Sequence, residues 1–211
     1  MRGLFISVEG IDGAGKSTHV NFIRGYLKDK GYEVVTTREP GGTVLGEKIR
    51  NLLLHNSEEV HRITELLLMF ASRQQLISEL IEPNLAKGIC VIADRFIDAS
   101  IAYQAYGRGI GREKLDKVIS LLEPNYTTDL TFLFDVPLDL ALTRLNKSRQ
   151  KDRIEQETTD FFANVQNAYQ IIAKNEPDRV KVINTNQVKA KTQMLIASYL
   201  NQLIKNGLVN A

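Results

Sequence analysis

Residues Gly10-Ile11-Asp12-Gly13-Ala14-Gly15-Lys16-Ser17 satisfy the pattern GxxxxGK[ST], and the apolar run Leu4-Phe5-Ile6-Ser7-Val8 stands just before them. A helical pattern opens at Ser17, so the order is strand, glycine loop, helix, which is the context a phosphate cradle requires. The glycines let backbone N–H groups turn inward around phosphate oxygens, and the N-terminus of the following helix adds partial positive charge at the same point. In this reading the loop from Gly10 through Thr18 holds ATP. Lys16 reaches the β- and γ-phosphates, and the Ser17 hydroxyl is placed for the Mg²⁺ ion that bridges them.

Outward from the loop, Val20, Ile23 and Leu27 keep helical spacing from Ser17 to about Lys30, where Gly31 ends the helix. Glu33 to Thr37 is a short β-branched strand running into the turn Arg38-Glu39-Pro40-Gly41-Gly42. Leu45 to Leu54 and Arg62 to Ile81 read as helices, with Pro83 closing the second, and Ile89 to Ala93 reads as a buried strand ending at Asp94-Arg95. Phe96 to Tyr106 and Arg112 to Glu123 are predicted helices, the latter stopped by Pro124; Leu130 to Val136 is the next strand and Leu138 to Asn146 the next helix. Phe162, Val165, Tyr169 and Ile172 mark a further helix, Val180 to Ile183 a fifth strand, and Ile196, Tyr199, Leu200 and Leu203 a terminal helix. Five short strands separated by helices predict an α/β fold in three layers, the P-loop NTPase arrangement. It has a five-stranded parallel sheet with right-handed crossovers, helices on both faces, and ligands at the carboxyl ends of the strands.

The 211 residues suffice for one well-buried core, and with no repeat or linker in view the expectation is one domain over 1–211. A chain that is 43% hydrophobic and 25% charged belongs with soluble globular proteins. No run reaches membrane-span length, and the apolar N-terminal segment passes straight into the phosphate loop, so it is not a removable signal. A cytoplasmic protein without a membrane partner is expected. The single cysteine, Cys90, lies in the apolar run Ile89-Cys90-Val91-Ile92 and reads as a buried strand residue, and a net charge of +2 gives no reason to expect nucleic acid.

A phosphate loop alone does not separate kinases from switch proteins or motors. The guanine-reading pattern Asn-Lys-x-Asp has only the near match Asn146-Lys147-Ser148-Arg149, which lacks the carboxylate that would grip guanine. A GTP-binding switch protein therefore stands as the alternative from another class. Asp94-Arg95 favours a kinase for phosphorylated acceptors, because a strand-end carboxylate can organise Mg²⁺ and its water while the adjacent arginine grips an acceptor phosphate. Six segments then appear in order. They are Glu9 to Thr18, Thr37-Arg38-Glu39-Pro40-Gly41-Gly42-Thr43, Phe70-Ala71-Ser72-Arg73, Asp94-Arg95-Phe96, Ala102-Tyr103-Gln104 and Asp152-Arg153-Ile154-Glu155-Gln156-Glu157.

With these motifs the chain resembles thymidylate kinases, the nucleoside monophosphate kinases that convert dTMP to dTDP. The resemblance implies that Arg95 and Arg38 hold the dTMP phosphate, that Asp12 contacts the sugar 3′-hydroxyl, and that Arg73 bonds thymine O4. It further implies Ser100 and Gln104 on the pyrimidine edge, the Tyr103 ring in the space a ribose 2′-hydroxyl needs, Lys16, Asp94 and Arg95 at the reacting phosphates, Ser17 and Asp94 at the metal, and a homodimer. Phe70 and Arg73, three apart on a helix, share a face. The family's stacking aromatic lies four residues before the arginine, however, which is Met69 here, so either Met69 or Phe70 covers the thymine face. Asp98-Ala99-Ser100 has one hydroxyl fewer than the family's Asp-Ser-Ser. Asn164 and Gln166 replace arginines usual in the helix after the lid, which predicts that their lid contacts are lost.

Some thymidylate kinases carry an arginine in the phosphate loop where this chain has Gly13. The compensating charge is expected from a helical lid over about 147–157, where Arg149 and Arg153, four apart, share a face toward ATP and act as catalytic arginines. On that expectation Gly13→Arg restores part of the loss when Arg153 is removed, provided the loop accepts the side chain. A kinase of the same fold acting on dUMP, CMP or a deoxynucleoside is the alternative among enzymes.

Overall fold

The computed structural model describes residues 2–55, 58–147 and 151–205. Its strands are β1 (Phe5–Glu9), β2 (Val34–Arg38), β3 (Cys90–Asp94), β4 (Leu130–Asp135) and β5 (Val180–Asn184). Exposure alone separates centre from edge. β1 is buried throughout and β3 and β4 everywhere but their last residue, whereas β2 and β5 alternate buried or half-buried with exposed positions. Strands buried on both faces lie inside a parallel sheet and polar ones at its margins. The sheet order is accordingly β2-β3-β1-β4-β5, with every pairing parallel.

Around the sheet pack α1 (Lys16–Asp29), α2 (Val44–Leu54), α3 (Arg62–Leu76), α4 (Glu82–Ala86), α5 (Ile97–Ser100), α6 (Arg112–Ile119), α7 (Leu138–Asn146), α8 (Thr159–Asn175) and α9 (Lys189–Lys205). The three-layer α/β expectation is met, and Cys90 is a buried strand residue. Among the described residues no helix is long and apolar enough to cross a membrane.

Several boundaries differ from the sequence reading. Pro83 does not end the long helix: α3 passes through a π-helical turn, Ile77–Ile81, into α4, where Pro83 occupies the first turn. The widened turn just before it, in which the Glu82 N–H reaches back to Ile77 O, lets the helix pass a residue that has no N–H. Phe96 is extended, so the next helix starts at Ile97 and then widens into a second π-helical turn, Ile101–Gly107. Such turns re-aim side chains and concentrate at functional sites. α6 stops at Ile119, short of Glu123. α8 begins earlier than its apolar pattern shows, because the Thr158 hydroxyl accepts from the Phe161 N–H at 3.2 Å and caps it.

Register sets the level of the site. Asp94 pairs with Val8 on one side and with Arg38 on the other, so the ends of β1, β2 and β3 finish together beside the glycine loop. Beneath them Arg179 clamps Asp98 in bidentate fashion at 2.7 and 2.9 Å and donates to Thr128 and Thr131, joining the start of β5 to α5 and β4.

Candidate active site

Gly15 takes the left-handed conformation (φ +87°) at the head of α1, and Gly13 does so within the loop (φ +84°). Lys16, the first residue of α1, folds back: its Nζ donates to the carbonyls of Gly10 (2.9 Å) and Ile11 (3.2 Å) and reaches Asp12 Oδ1 at 3.3 Å. Ile11 and Ala14 are buried, so those two positions offer a ligand backbone rather than side chains. A Cβ on Gly13 would stand 2.3 Å from the Ala141 carbonyl oxygen, and the φ is positive as well. Rescue by Gly13→Arg is thereby overturned, since the loop has no room for the first side-chain atom. At Gly13 itself the loop backbone is bonded by Arg144 on α7, whose Nη1 donates to Gly13 O at 3.1 Å.

Ser17, Thr18, Lys16, Asp12 and Asp94 line one cleft. Asp94 Oδ1 is buried with no hydrogen-bond partner among the described residues. A buried, unpartnered carboxylate oxygen opposite a hydroxyl suits a hard cation, so these residues fit Mg²⁺. Among the described residues no group of three or more His, Cys, Asp or Glu side chains could hold a metal by itself.

The adjoining cleft has a volume of about 160 Å³ and is lined by Asp12, Lys16, Arg38, Arg50, Met69, Arg73, Asp94, Arg95, Ser100, Tyr103, Gln104, Asp152 and Glu155 among others. Arg95 is the one described non-glycine residue with positive φ (+74°), and its N–H is fixed to Val8 O at 3.0 Å. That backbone aims the guanidinium at Asp12 Oδ1 (2.8 Å) and the Tyr103 hydroxyl (3.0 Å), with the Tyr169 hydroxyl at 3.4 Å. Burial opposes charge on Asp12, but Arg95 and Lys16 outweigh it and hold the carboxyl well below the usual range. Behind them Glu9 is wholly buried and accepts from the Phe96 N–H (2.7 Å) and the Tyr169 hydroxyl (2.8 Å); burial, reinforced by Asp98, pushes its carboxyl up to about 8.

Arg73 is 2% exposed and donates Nε and Nη2 to Glu39 Oε2 at 2.8 and 2.6 Å, leaving Nη1 buried without a partner among the described residues. The Phe70 ring lies against this guanidinium, 4.6 Å from ring centroid to Cζ, and is not part of the cleft lining, whereas Met69 is. The π-helical turn after α5 brings Tyr103 and Gln104 to the same wall as Ser100.

Arg153 makes no hydrogen bond to the phosphate loop among the described residues. It sits in a turn, not a helix; its Nη2 pairs with Glu65 Oε2 at 2.6 Å and its Nε donates to Leu53 O at 2.8 Å. Arg149 lies outside the described residues. Gln166 donates to Asp135 Oδ1 (3.0 Å) and Val136 O (2.8 Å), so it braces the end of β4.

Residues that the sequence reading did not single out include Glu9, Glu65, Arg144 and Arg50, whose Nη1 donates to Pro40 O at 2.9 Å. Arg50 had one signal, its place three residues after Glu47 on a helix that follows the Arg38 turn. The others are ordinary charged residues in sequence and gain meaning only from burial.

The thymidylate kinase family model matches residues 8–196. The chain is 50% identical to the thymidylate kinase of Thiobacillus denitrificans over 201 residues, 95% of this chain and 98% of the relative. It is also 50% identical to that of Methylobacillus flagellatus over 187 residues, 89% and 91% of the two chains. The crystal structure of thymidylate kinase from Ehrlichia chaffeensis superposes with a TM-score of 0.78 at 34% identity, covering 95% of this chain and 100% of the other. With the glycine loop, the strained Arg95 and the Arg73 pocket on one sheet end, and with this likeness extending over nearly the whole length, the chain belongs to the thymidylate kinase family.

Proposed function

We infer that this chain transfers the γ-phosphoryl group of ATP to dTMP, giving dTDP and ADP. One observation carries the reading: the left-handed turn at Arg95 places its guanidinium on Asp12 of the phosphate loop, in the cleft that Arg73, Ser100, Tyr103 and Gln104 also line. Donor loop and acceptor pocket thus share a wall. The acceptor phosphate is already ionised at neutral pH and is its own nucleophile, so the protein contributes alignment and charge neutralisation rather than a strong base. Arg95, with Arg38, grips that phosphate; Lys16 attends the transferring group; Arg73 and Gln104 read the base; and Tyr103 fills the volume of a 2′-hydroxyl. Mg²⁺, held by Ser17 and Asp94, would neutralise charge on the β- and γ-phosphates. Single-domain organisation, a cytoplasmic location and a homodimer complete the reading, on the family likeness.

The test is a coupled ADP-release assay across dTMP, dUMP, CMP, UMP and thymidine. dTMP should give the highest kcat/KM; preference for thymidine, which lacks the phosphate, would overturn the assignment of Arg95.

A further inference from the structure

Glu65 on α3 is 1% exposed, and its carboxylate is the meeting point of three elements. Oε1 accepts from Gln104 Nε2 at 3.0 Å and from Arg108 Nε at 3.1 Å, while Oε2 accepts from Arg153 Nη2 at 2.6 Å and pairs with Arg108 Nη2 at 3.1 Å. Arg108 also pairs with Glu157, so the whole segment 153–157 is tied to this group. Burial pushes the carboxyl up, but Arg108 and Arg153 pull it below its ordinary range, so Glu65 is ionised at neutral pH.

An ionised carboxylate only accepts. The face that Gln104 turns toward Glu65 must therefore be its NH₂, and because the amide is planar its Oε1 points elsewhere. Gln104 lines the acceptor cleft, and its Oε1 takes no hydrogen bond from the described residues. Arg73 lines the same cleft, and its buried Nη1 has no hydrogen-bond partner among the described residues. The lining thus holds one donor and one acceptor left without partners. Thymine and uracil, with an O4 acceptor beside an N3–H donor, complement them; cytosine, with an amine beside an unprotonated N3, opposes both.

We propose that Glu65 is a specificity-positioning residue: it locks the Gln104 amide with its carbonyl toward the base, so the cleft accepts a pyrimidine bearing N3–H, and through Arg153 it joins that setting to the segment after α7. The inference rests on the reading of the cleft as the dTMP site. Without the carboxylate the amide is free to turn over, present its NH₂ to an N3 lone pair, and relieve half of the mismatch.

The experiment measures kcat/KM for dTMP and dCMP in wild type and Glu65→Gln. The ratio should fall about tenfold, with the change chiefly in KM, because one well-placed polar group in a buried site is worth at least that much. In a Gln104→Met background, which has no amide to orient, Glu65→Gln should leave the ratio unchanged. If Glu65→Gln yields no soluble protein, Glu65→Asp carries the test: it keeps the charge that the two arginines require but withdraws it from the amide, and the same fall is expected. Parallel losses on both nucleotides, with the ratio within about twofold of wild type, would reduce Glu65 to a structural brace and overturn the proposal. A wild-type protein inactive on dTMP would instead overturn the functional reading, and the inference with it.

Discussion

Arg95 holds a backbone conformation that costs of order 1–3 kcal/mol for a residue with a Cβ. The cost is offset by what the turn achieves, a guanidinium fixed on Asp12 and Tyr103 rather than free in solvent. Arg95→Ala keeps the Cβ and therefore the strain, and it should raise the dTMP KM and lower kcat together, since a misplaced acceptor also loses alignment. Steady-state kinetics with dTMP varied decide it, and wild-type constants would remove Arg95 from the site. Glu9 yields a second prediction. Its carboxyl is raised in the folded protein from an ordinary 4.5 to about 8, so between those values the folded state binds a proton that the unfolded state has released. Stability from this group is complete below about pH 4.5 and declines as pH rises toward 8. Glu9→Gln, neutral at every pH, should flatten that decline. Thermal melts at pH 5, 6, 7 and 8 compare the two slopes, and parallel slopes would show that Glu9 titrates normally.

At the scale of elements, the polar clamp of Arg179 holds α5 and the strand ends in register beneath the cleft. Removing one partner leaves Asp98, 5% exposed, as an uncompensated buried charge. Arg179→Ala should therefore destabilise by about 3–5 kcal/mol in denaturant unfolding, against about 0–1 kcal/mol for an exposed pair such as Lys117–Glu113. A loss below 1 kcal/mol would mean that water replaces the arginine without penalty. The segment after α7 is the other element at issue. A catalytic arginine finger is worth roughly 10³ to 10⁵ in rate. Arg153, however, is engaged by Glu65 and the Leu53 carbonyl on the side of α2 and α3. Arg153→Ala is expected to cut kcat only about tenfold, the loss of a seating contact. A fall beyond 10³ in single-turnover measurements would show that Arg153 leaves Glu65 to reach the phosphates.

For the whole molecule, the proposed reading has the two ligands meet at one sheet end, so each should stabilise the entire fold by mass action. At about a hundredfold excess over Kd a ligand adds about 2.7 kcal/mol, and a chain of this size gains roughly 2–4 °C per kcal/mol. A non-hydrolysable ATP analogue with Mg²⁺ and, separately, dTMP should each raise Tm by about 5–10 °C. Lys16→Ala should abolish the first shift and keep the second. Loss of both shifts would mean that Lys16 supports the cleft as a whole rather than the triphosphate.

The sequence by itself determined the strand, loop and helix at residues 5–29, the parallel sheet, and the placing of Arg38 and Asp94-Arg95 at strand ends. These depend on local periodicity and on glycines whose required backbone is set within a few residues. It did not determine helix continuity through Pro83, because a π-helical turn is a response to packing that leaves no local signature. The direction of each charged side chain was likewise decided only by tertiary structure. Arg153 turns to a carboxylate 88 positions away and Arg144 to a loop carbonyl 131 positions away, and Phe70 backs Arg73 while Met69 lines the cleft. A buried charge must find its partner wherever the fold brings one, and that partner is fixed by how distant elements pack rather than by the residue's own neighbours in the chain.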